Sequence, residues 1–192
     1  MKLLHIDSSV QGDASVSRAV SAAVVSRLRA ADPAIELHYR DLSSEPLPHL
    51  TLDRLASADA DAAIEEFLAA DIVVIGVPMY NFGIPTQLKS WFDHILVAGR
   101  TFSYGPEGVV GLAAGKRVIV AQSRGGVYSG AAATNEHAES HLRAMLDFVG
   151  IANPEFVVAE GVALGLEQRE AATVEALARV AALDPGPLAA AA

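Results

Sequence analysis

The sequence predicts an α/β fold: a doubly wound, five-stranded parallel sheet in a three-layer αβα arrangement. Three observations carry this expectation. Continuous apolar runs rich in β-branched residues recur along the chain, as they do where helices cover both faces of a sheet. Segments of helical periodicity separate them. Strand and helix alternate five times within 192 residues, the pattern of a sheet built from crossover units.

Each element can be justified in turn. Leu3-Leu4-His5-Ile6 is the first strand, and residues 17–31 follow as a helix with Val20, Val24, Val25 and Leu28 on one face. Glu36-Leu37-His38-Tyr39 alternates and reads as an edge strand. Residues 60–70 form a helix with Ile64, Phe67 and Leu68 on one side, and Ile72-Val73-Val74-Ile75-Gly76-Val77 is the third strand. In residues 86–97, Leu88, Trp91, Phe92, Ile95 and Leu96 recur at helical spacing. Trp91 and Phe92 are expected in the core or at a dimer contact, Asp93 and His94 at polar positions.

Arg117-Val118-Ile119-Val120-Ala121 is the fourth strand. Residues 134–150 carry Leu142, Met145, Leu146 and Val149, with Gly150 as the stop signal. Phe156-Val157-Val158-Ala159 is the fifth strand, and residues 167–183 the last helix. From about 184, Asp184-Pro185-Gly186-Pro187, Leu188 and four alanines form a low-complexity tail expected to fray. Neither a repeat nor a linker divides the chain, so residues 1–192 read as one domain. Five strands suit the flavodoxin-like order 2-1-3-4-5 better than a six-stranded dinucleotide-binding order.

Composition removes several functions. Lys plus Arg is 14 against 23 Asp plus Glu, a net charge of −9, which argues against nucleic-acid binding. Without cysteine there is no disulfide, thiolate nucleophile or cysteine-held cluster. Apolar stretches are broken well before the ~18 residues of a membrane span, and Asp7 comes too early for a signal peptide. The expectation is a soluble cytoplasmic protein.

In such a sheet, ligands sit at the carboxyl ends of the strands, at the switch point between strands 1 and 3. The loop after strand 1, Ser8-Ser9-Val10-Gln11-Gly12-Asp13-Ala14-Ser15-Val16-Ser17-Arg18, is rich in hydroxyls and runs into a helix N-terminus. Free N–H groups and the helix dipole suit a phosphate there. Ser9, Ser15 and Ser17 add donors and Arg18 adds charge, although capping alone explains any one serine. Neither G-x-x-x-x-G-K-[ST] nor G-x-G-x-x-G is present, so a monophosphate fits better than a nucleotide pyrophosphate.

After strand 3, Pro78-Met79-Tyr80-Asn81-Phe82-Gly83-Ile84-Pro85 combines proline stiffness, apolar side chains and one amide. That mixture suits a flat heteroaromatic ring, though a loop packing on its own helix would read alike. After strand 4 comes Gln122-Ser123-Arg124-Gly125-Gly126-Val127-Tyr128. Its glycines permit close backbone approach or a positive φ, and they equally suit a plain turn. Glu136-His137-Ala138-Glu139-Ser140-His141 places two histidines at i and i+4 of the expected helix. The order is not H-E-x-x-H, and the expectation is an exposed helix face with no metal.

Together these segments resemble the FMN-dependent NADH-azoreductase, or NADH:quinone oxidoreductase, family. The resemblance runs from Asp7-Ser8-Ser9 through Met79-Tyr80-Asn81-Phe82, Gln87-Leu88-Lys89-Ser90-Trp91-Phe92-Asp93, Thr101-Phe102-Ser103-Tyr104, Ser123-Arg124-Gly125-Gly126 and Phe148-Val149-Gly150-Ile151 to Ala159-Glu160-Gly161. It implies that Ser9, Ser15, Val16 and Ser17 hold the FMN phosphate. Met79, Tyr80, Asn81 and Phe82 line the isoalloxazine, and Ser123, Arg124, Gly125 and Gly126 border its pyrimidine edge.

It further implies a homodimer that takes hydride from NADH or NADPH and reduces a quinone or an azo compound by ping-pong transfer, with no acid–base side chain required. The segment between Pro48 and Ala60 looks shorter than in relatives. Gly83 stands where many carry a side chain, and Val127-Tyr128 replaces an Ile-His pair of some members. A flavodoxin-like electron carrier, and a nitro or quinone reductase without azo activity, are alternative readings.

Overall fold

A computed structural model describes residues 1–52 and 58–186. The elements are β1 (Lys2–Asp7), α1 (Val16–Ala31), β2 (Glu36–Asp41), α2 (Ala58–Ala69), β3 (Ile72–Pro78), α3 (Thr86–Ile95), β4 (Phe102–Gly105), β5 (Gly108–Gly111), β6 (Arg117–Arg124), α4 (Ala138–Phe148), β7 (Glu155–Glu160) and α5 (Leu166–Ala182). Single 3-10 turns precede α1 (Gly12–Ala14) and α4 (Gly130–Asn135).

The main sheet is parallel, in the order β2-β1-β3-β6-β7. This is the expected 2-1-3-4-5 arrangement once the hairpin β4–β5 is set aside. Side chains alternate faces along each strand, so β3 feeds two cores. Ile72 and Val74 join Val20, Val24 and Leu28 of α1 and Ala176 and Val180 of α5 on one face. Val73, Ile75 and Val77 join Phe67 of α2, Leu88, Trp91 and Phe92 of α3 and Leu142 and Leu146 of α4 on the other. The apolar helix positions named from the sequence are the buried or partly buried ones.

Three expectations change. The hairpin Phe102–Gly111 is an addition to the expected elements; it pairs Phe102 with Gly111 and closes on Gly105 and Gly108. Helix α4 begins at Ala138, not near 134, because the Glu136 carboxylate accepts the N–H groups of Ala138 and Glu139 (3.1 and 3.0 Å) and caps it there. His137 is therefore the residue before the helix, and the i, i+4 histidine pair does not share a helix face. His94, expected at a polar position of the helix, lies in the core, its Nδ1 2.8 Å from the Ser90 carbonyl oxygen.

Gly150 does terminate α4 as expected. Its φ is 97°, and Ile151 N–H reaches the Leu146 carbonyl (2.9 Å), the Schellman arrangement that a left-handed residue permits. A Cβ on Gly111 would sit 2.1 Å from Gly150 N, so the hairpin base clasps the end of α4 through two bare backbones. Of the tail, Asp184–Gly186 is irregular, and the Arg117 guanidinium holds the Asp184 carbonyl (2.9 Å). Residues beyond 186, and the central part of the segment between Pro48 and Ala60, lie outside the described residues.

Candidate functional site

Connections leave β1 toward β2 on one side while β3 lies on the other, so the switch point falls between the ends of β1 and β3, where such sheets bind ligands. The first wall is the loop after β1. Ser15 is the N-cap of α1; its hydroxyl accepts Arg18 N–H (3.3 Å) and lies 3.1 Å from Ser17 Oγ. Val16 and Ser17 stand in the first turn, where N–H groups have no intrahelical acceptor. Ser9, Ser15 and Ser17 are all buried. Ser8 donates to the Gly76 carbonyl (2.8 Å) and so ties the loop to β3.

The second wall follows β3. Tyr80 and Gly83 exchange two backbone hydrogen bonds (2.9 and 3.0 Å) around Asn81 (φ 47°) and Phe82 (φ 71°). Two positive φ values in a two-residue connection make a type I′ turn, in which the second position favours glycine. Phe82 holds it instead, 47% exposed. The Phe82 carbonyl accepts His137 N–H (3.0 Å), which fixes the turn from behind. Tyr80 crosses to the first wall: its hydroxyl is 3.2 Å from Ser9 Oγ and accepts Val10 N–H at 3.2 Å. Met79 is buried, and its N–H bonds the Ser123 carbonyl (2.7 Å).

The third wall is shorter than expected, because β6 runs through Arg124; Gln122, Ser123 and Arg124 belong to the strand. Neither Gly125 nor Gly126 has a positive φ, so backbone conformation does not call for glycine at either. A Cβ on Gly126 would meet the Tyr128 ring at 3.3 Å. The Tyr128 ring in turn packs edge-on against Phe82, centroids 6.2 Å apart. The carbonyls of Arg124, Gly125 and Gly126 accept from Val162, Ala163 and Gly161 (3.1, 3.0 and 2.9 Å). In a planar trans peptide the N–H points opposite to the C=O. The N–H groups of Gly125, Gly126 and Val127 are therefore turned away from the β7 side.

Residues 1–183 match the family model described as flavodoxin-like fold. An FMN-dependent NADH:quinone oxidoreductase of Methylorubrum extorquens is 56% identical over 95% of this chain and 98% of its own length. FMN-dependent NADH:quinone oxidoreductase 2 of Bradyrhizobium diazoefficiens is 54% identical over 92% and 96%. The chain belongs to the FMN-dependent NADH:quinone oxidoreductase family. Among solved structures, an azoreductase of Bacillus anthracis str. Sterne superposes with a TM-score of 0.88 at 32% identity, covering 95% of this chain and 97% of that one. An FMN-dependent NADH-azoreductase of Bacillus anthracis str. Ames Ancestor, in complex with FMN, gives 0.82 at 25% identity, covering 95% and 99%.

Two clusters that sequence reasoning missed support the walls of this oxidoreductase. Beside β1, the Arg18 guanidinium bonds the Ser9 carbonyl through Nε and Nη2 (3.2 and 2.8 Å), Asp41 Oδ1 (2.7 Å) and the Tyr39 hydroxyl (3.0 Å). Tyr39 donates to Asp7 (3.2 Å), as does Ser21 (2.8 Å). Gly76 is required here, since a Cβ would fall 2.1 Å from Asp7 Oδ1. His5 Nε2 touches both Ser21 Oγ (3.0 Å) and Asp7 (3.4 Å). With both contacts on one nitrogen, no proton relay of the hydrolase kind is built.

The Arg18 charge is already met in this cluster, by two carboxylates. The Asp41 hydrogen bond, acting against burial, raises the Arg18 pKa. Burial alone would raise Asp41, but Arg18 and the N–H groups of Ser43 and Ser44 bring it below the usual carboxylate value. Burial and the Asp7 charge push Tyr39 up to about 12. The register sets Asp7 beside Asp41 at the ends of β1 and β2.

Beside β6, Arg124 is 8% exposed. It bonds Glu160 (2.9 Å), Glu139 (2.7 Å) and the Gln122 amide oxygen (2.8 Å), with Glu136 3.7 Å away. Both terminal nitrogens of its guanidinium are thus committed to the protein, while the buried Nε has no partner. Glu160 also accepts Tyr128 N–H (3.2 Å). Burial works to raise the Glu160 pKa, and the bonds from Arg124, Tyr128 and Ser129 lower it on balance. Among the described residues, no group of three or more His, Asp or Glu side chains is placed to hold a metal, and no helix is long and apolar enough to cross a membrane.

Proposed function

We infer that this chain is an FMN-dependent NADH:quinone oxidoreductase that also reduces azo compounds. The observation that carries this reading is the coincidence of the three loops at one switch point, each presenting the chemistry that one part of FMN needs. The donor set fits the phosphate: the Ser9, Ser15 and Ser17 hydroxyls and the Val16 and Ser17 N–H groups are neutral donors at the start of a 16-residue helix, whose dipole favours an anion. Met79, Tyr80, Asn81 and Phe82 supply apolar walls and an amide for the ring. The outward N–H groups at Gly125 and Gly126 suit its carbonyl edge. Arg124 and Ser123 border that edge through their main chains.

FMN held by these residues would supply the two-electron redox chemistry between NADH or NADPH and the acceptor. The protein residues position and polarise. Backbone N–H groups at Gly125 and Gly126 stabilise negative charge at the ring edge by the logic of preorganised donors. Phe82 and Tyr128 wall off water and offer an aromatic surface for nicotinamide and quinone in turn, so the two substrates share one place and the kinetics are ping-pong. The apolar rim, with Val10, Phe82 and Val127 exposed, is the face on which we place a second copy, giving a homodimer of cytoplasmic single-domain chains.

Purified protein is expected to be yellow and to bleach with NADH; a colourless protein that cannot be reconstituted with FMN rules this reading out. Replacing Asn81 by a bulky residue weakens FMN binding in a fluorescence titration, and unchanged affinity would remove the placement of the ring.

A further inference from the structure

We propose that Arg18 is a positioning residue for the cofactor phosphate: anchored on the edge strand β2, it locks the Ser9–Val10 peptide so that Val10 N–H and Ser9 Oγ face the crevice. The inference rests on the FMN reading above and adds a residue to it.

Arg18 grips the Ser9 carbonyl oxygen with two N–H groups, Nε at 3.2 Å and Nη2 at 2.8 Å. Because C=O and N–H of a trans peptide point in opposite directions, holding the carbonyl on the α1–β2 side aims Val10 N–H the other way. There it meets the Tyr80 hydroxyl at 3.2 Å, beside Ser9 Oγ, also 3.2 Å from that hydroxyl. The grip is itself braced: Nη2 reaches Asp41 at 2.7 Å and Nη1 reaches Tyr39 at 3.0 Å, and Tyr39 is tied to Asp7.

The planar fork grips the carbonyl twice and also reaches the carboxylate and the phenol; a lysine ammonium, a compact group with three donors, cannot make those four bonds. The charge is not available for the phosphate. Asp41 at 2.7 Å and Asp7 at 3.9 Å already face it, so phosphate recognition falls to hydroxyls and main-chain N–H groups that Arg18 keeps in place.

A direct ligand and a positioning residue predict opposite signs. The test is FMN and riboflavin affinity, by flavin fluorescence titration of the full-length deflavinated chain, with melting temperature recorded alongside. Arg18→Gln and Arg18→Lys should each weaken FMN binding about tenfold or more, the range lost with a hydrogen bond to a charged group. Riboflavin affinity should move less than about twofold. Asp41→Asn, which loosens the brace and frees positive charge, should weaken FMN by about threefold, a smaller step in the same direction.

Retained FMN affinity in Arg18→Lys, or tighter FMN binding in Asp41→Asn, would falsify the proposal and make Arg18 a simple charge ligand. Equal losses of FMN and riboflavin would also overturn it, as general damage to the fold. If Arg18→Gln does not fold, Asp41→Asn decides alone by the same criterion. Wild-type chain that binds no FMN removes the functional reading and this inference together. Wild-type binding with indifferent variants removes this inference only.

Discussion

Two arginines stand at the carboxyl edge of the sheet, one on each side of the crevice, and they are used differently. Arg18, with its side chain 16% exposed, faces two carboxylates and spends its fork on a main-chain carbonyl in the loop after β1. Arg124, 8% exposed, faces three carboxylates and an amide, all side chains on β6, β7 and the start of α4. The first arginine shapes a loop. The second pins strands and a helix behind one. Burying a cation next to a ligand site does not make it a ligand; its partners decide what it holds still.

Removing each cation in turn separates the two roles. Arg124→Met should lower stability by about 3 kcal/mol, because Glu136, Glu139 and Glu160 lose their shared cation and are left as like charges in a partly buried cluster. Denaturant unfolding would show this. Arg18→Met, closer to solvent, should cost about 1–3 kcal/mol. Equal losses would mean that the two arginines play one structural role.

A second test uses acid. Asp41 and Glu160 both have folded pKa values below their ordinary 3.8 and 4.5. Each therefore contributes stability that is complete well above those values and is lost as pH falls through them toward the folded pKa. Melting temperature should be flat near neutrality and drop below about pH 4.5. Asp41→Asn and Glu160→Gln should each start lower and show a shallower drop. A variant with an unaltered slope removes its pair from the account.

The smallest expected change is Gly126→Ala. Its methyl would press on Tyr128 at 3.3 Å, a flexible ring that can shift. Stability should stay within about 0.5 kcal/mol while FMN affinity falls. A large stability loss would show that Tyr128 is rigid packing rather than part of the wall.

The strands and helix faces were legible because burial writes a period into the chain: β3 is apolar at every step and α3 at every third or fourth. The three loops were legible because the topology says where to look. The hairpin β4–β5 was not, although Gly105-Pro106 and Gly108 mark a turn; its four-residue strands are too short to show alternation. The start of α4 was misplaced because 130–135 is alanine-rich, and the deciding contact is the capping carboxylate of Glu136. Neither arginine cluster could be read, since Arg18 and Asp41 are 23 residues apart and Arg124 and Glu160 are 36 apart. Pairs that distant leave no periodic trace. His94 reads as a polar position of α3, and its polarity alone does not show that it lies on the buried side of that helix.

Phe82 sits in a left-handed turn where glycine would relax the backbone, at a strain of roughly 1–3 kcal/mol. That makes it a point where hardening the protein and running it pull in opposite directions. Selection for heat resistance alone should recover Phe82→Gly early, as a more durable chain without the aromatic ring proposed to wall the flavin site. Selection that also demands turnover should never take that step, and durability would have to come from the far end of the sheet.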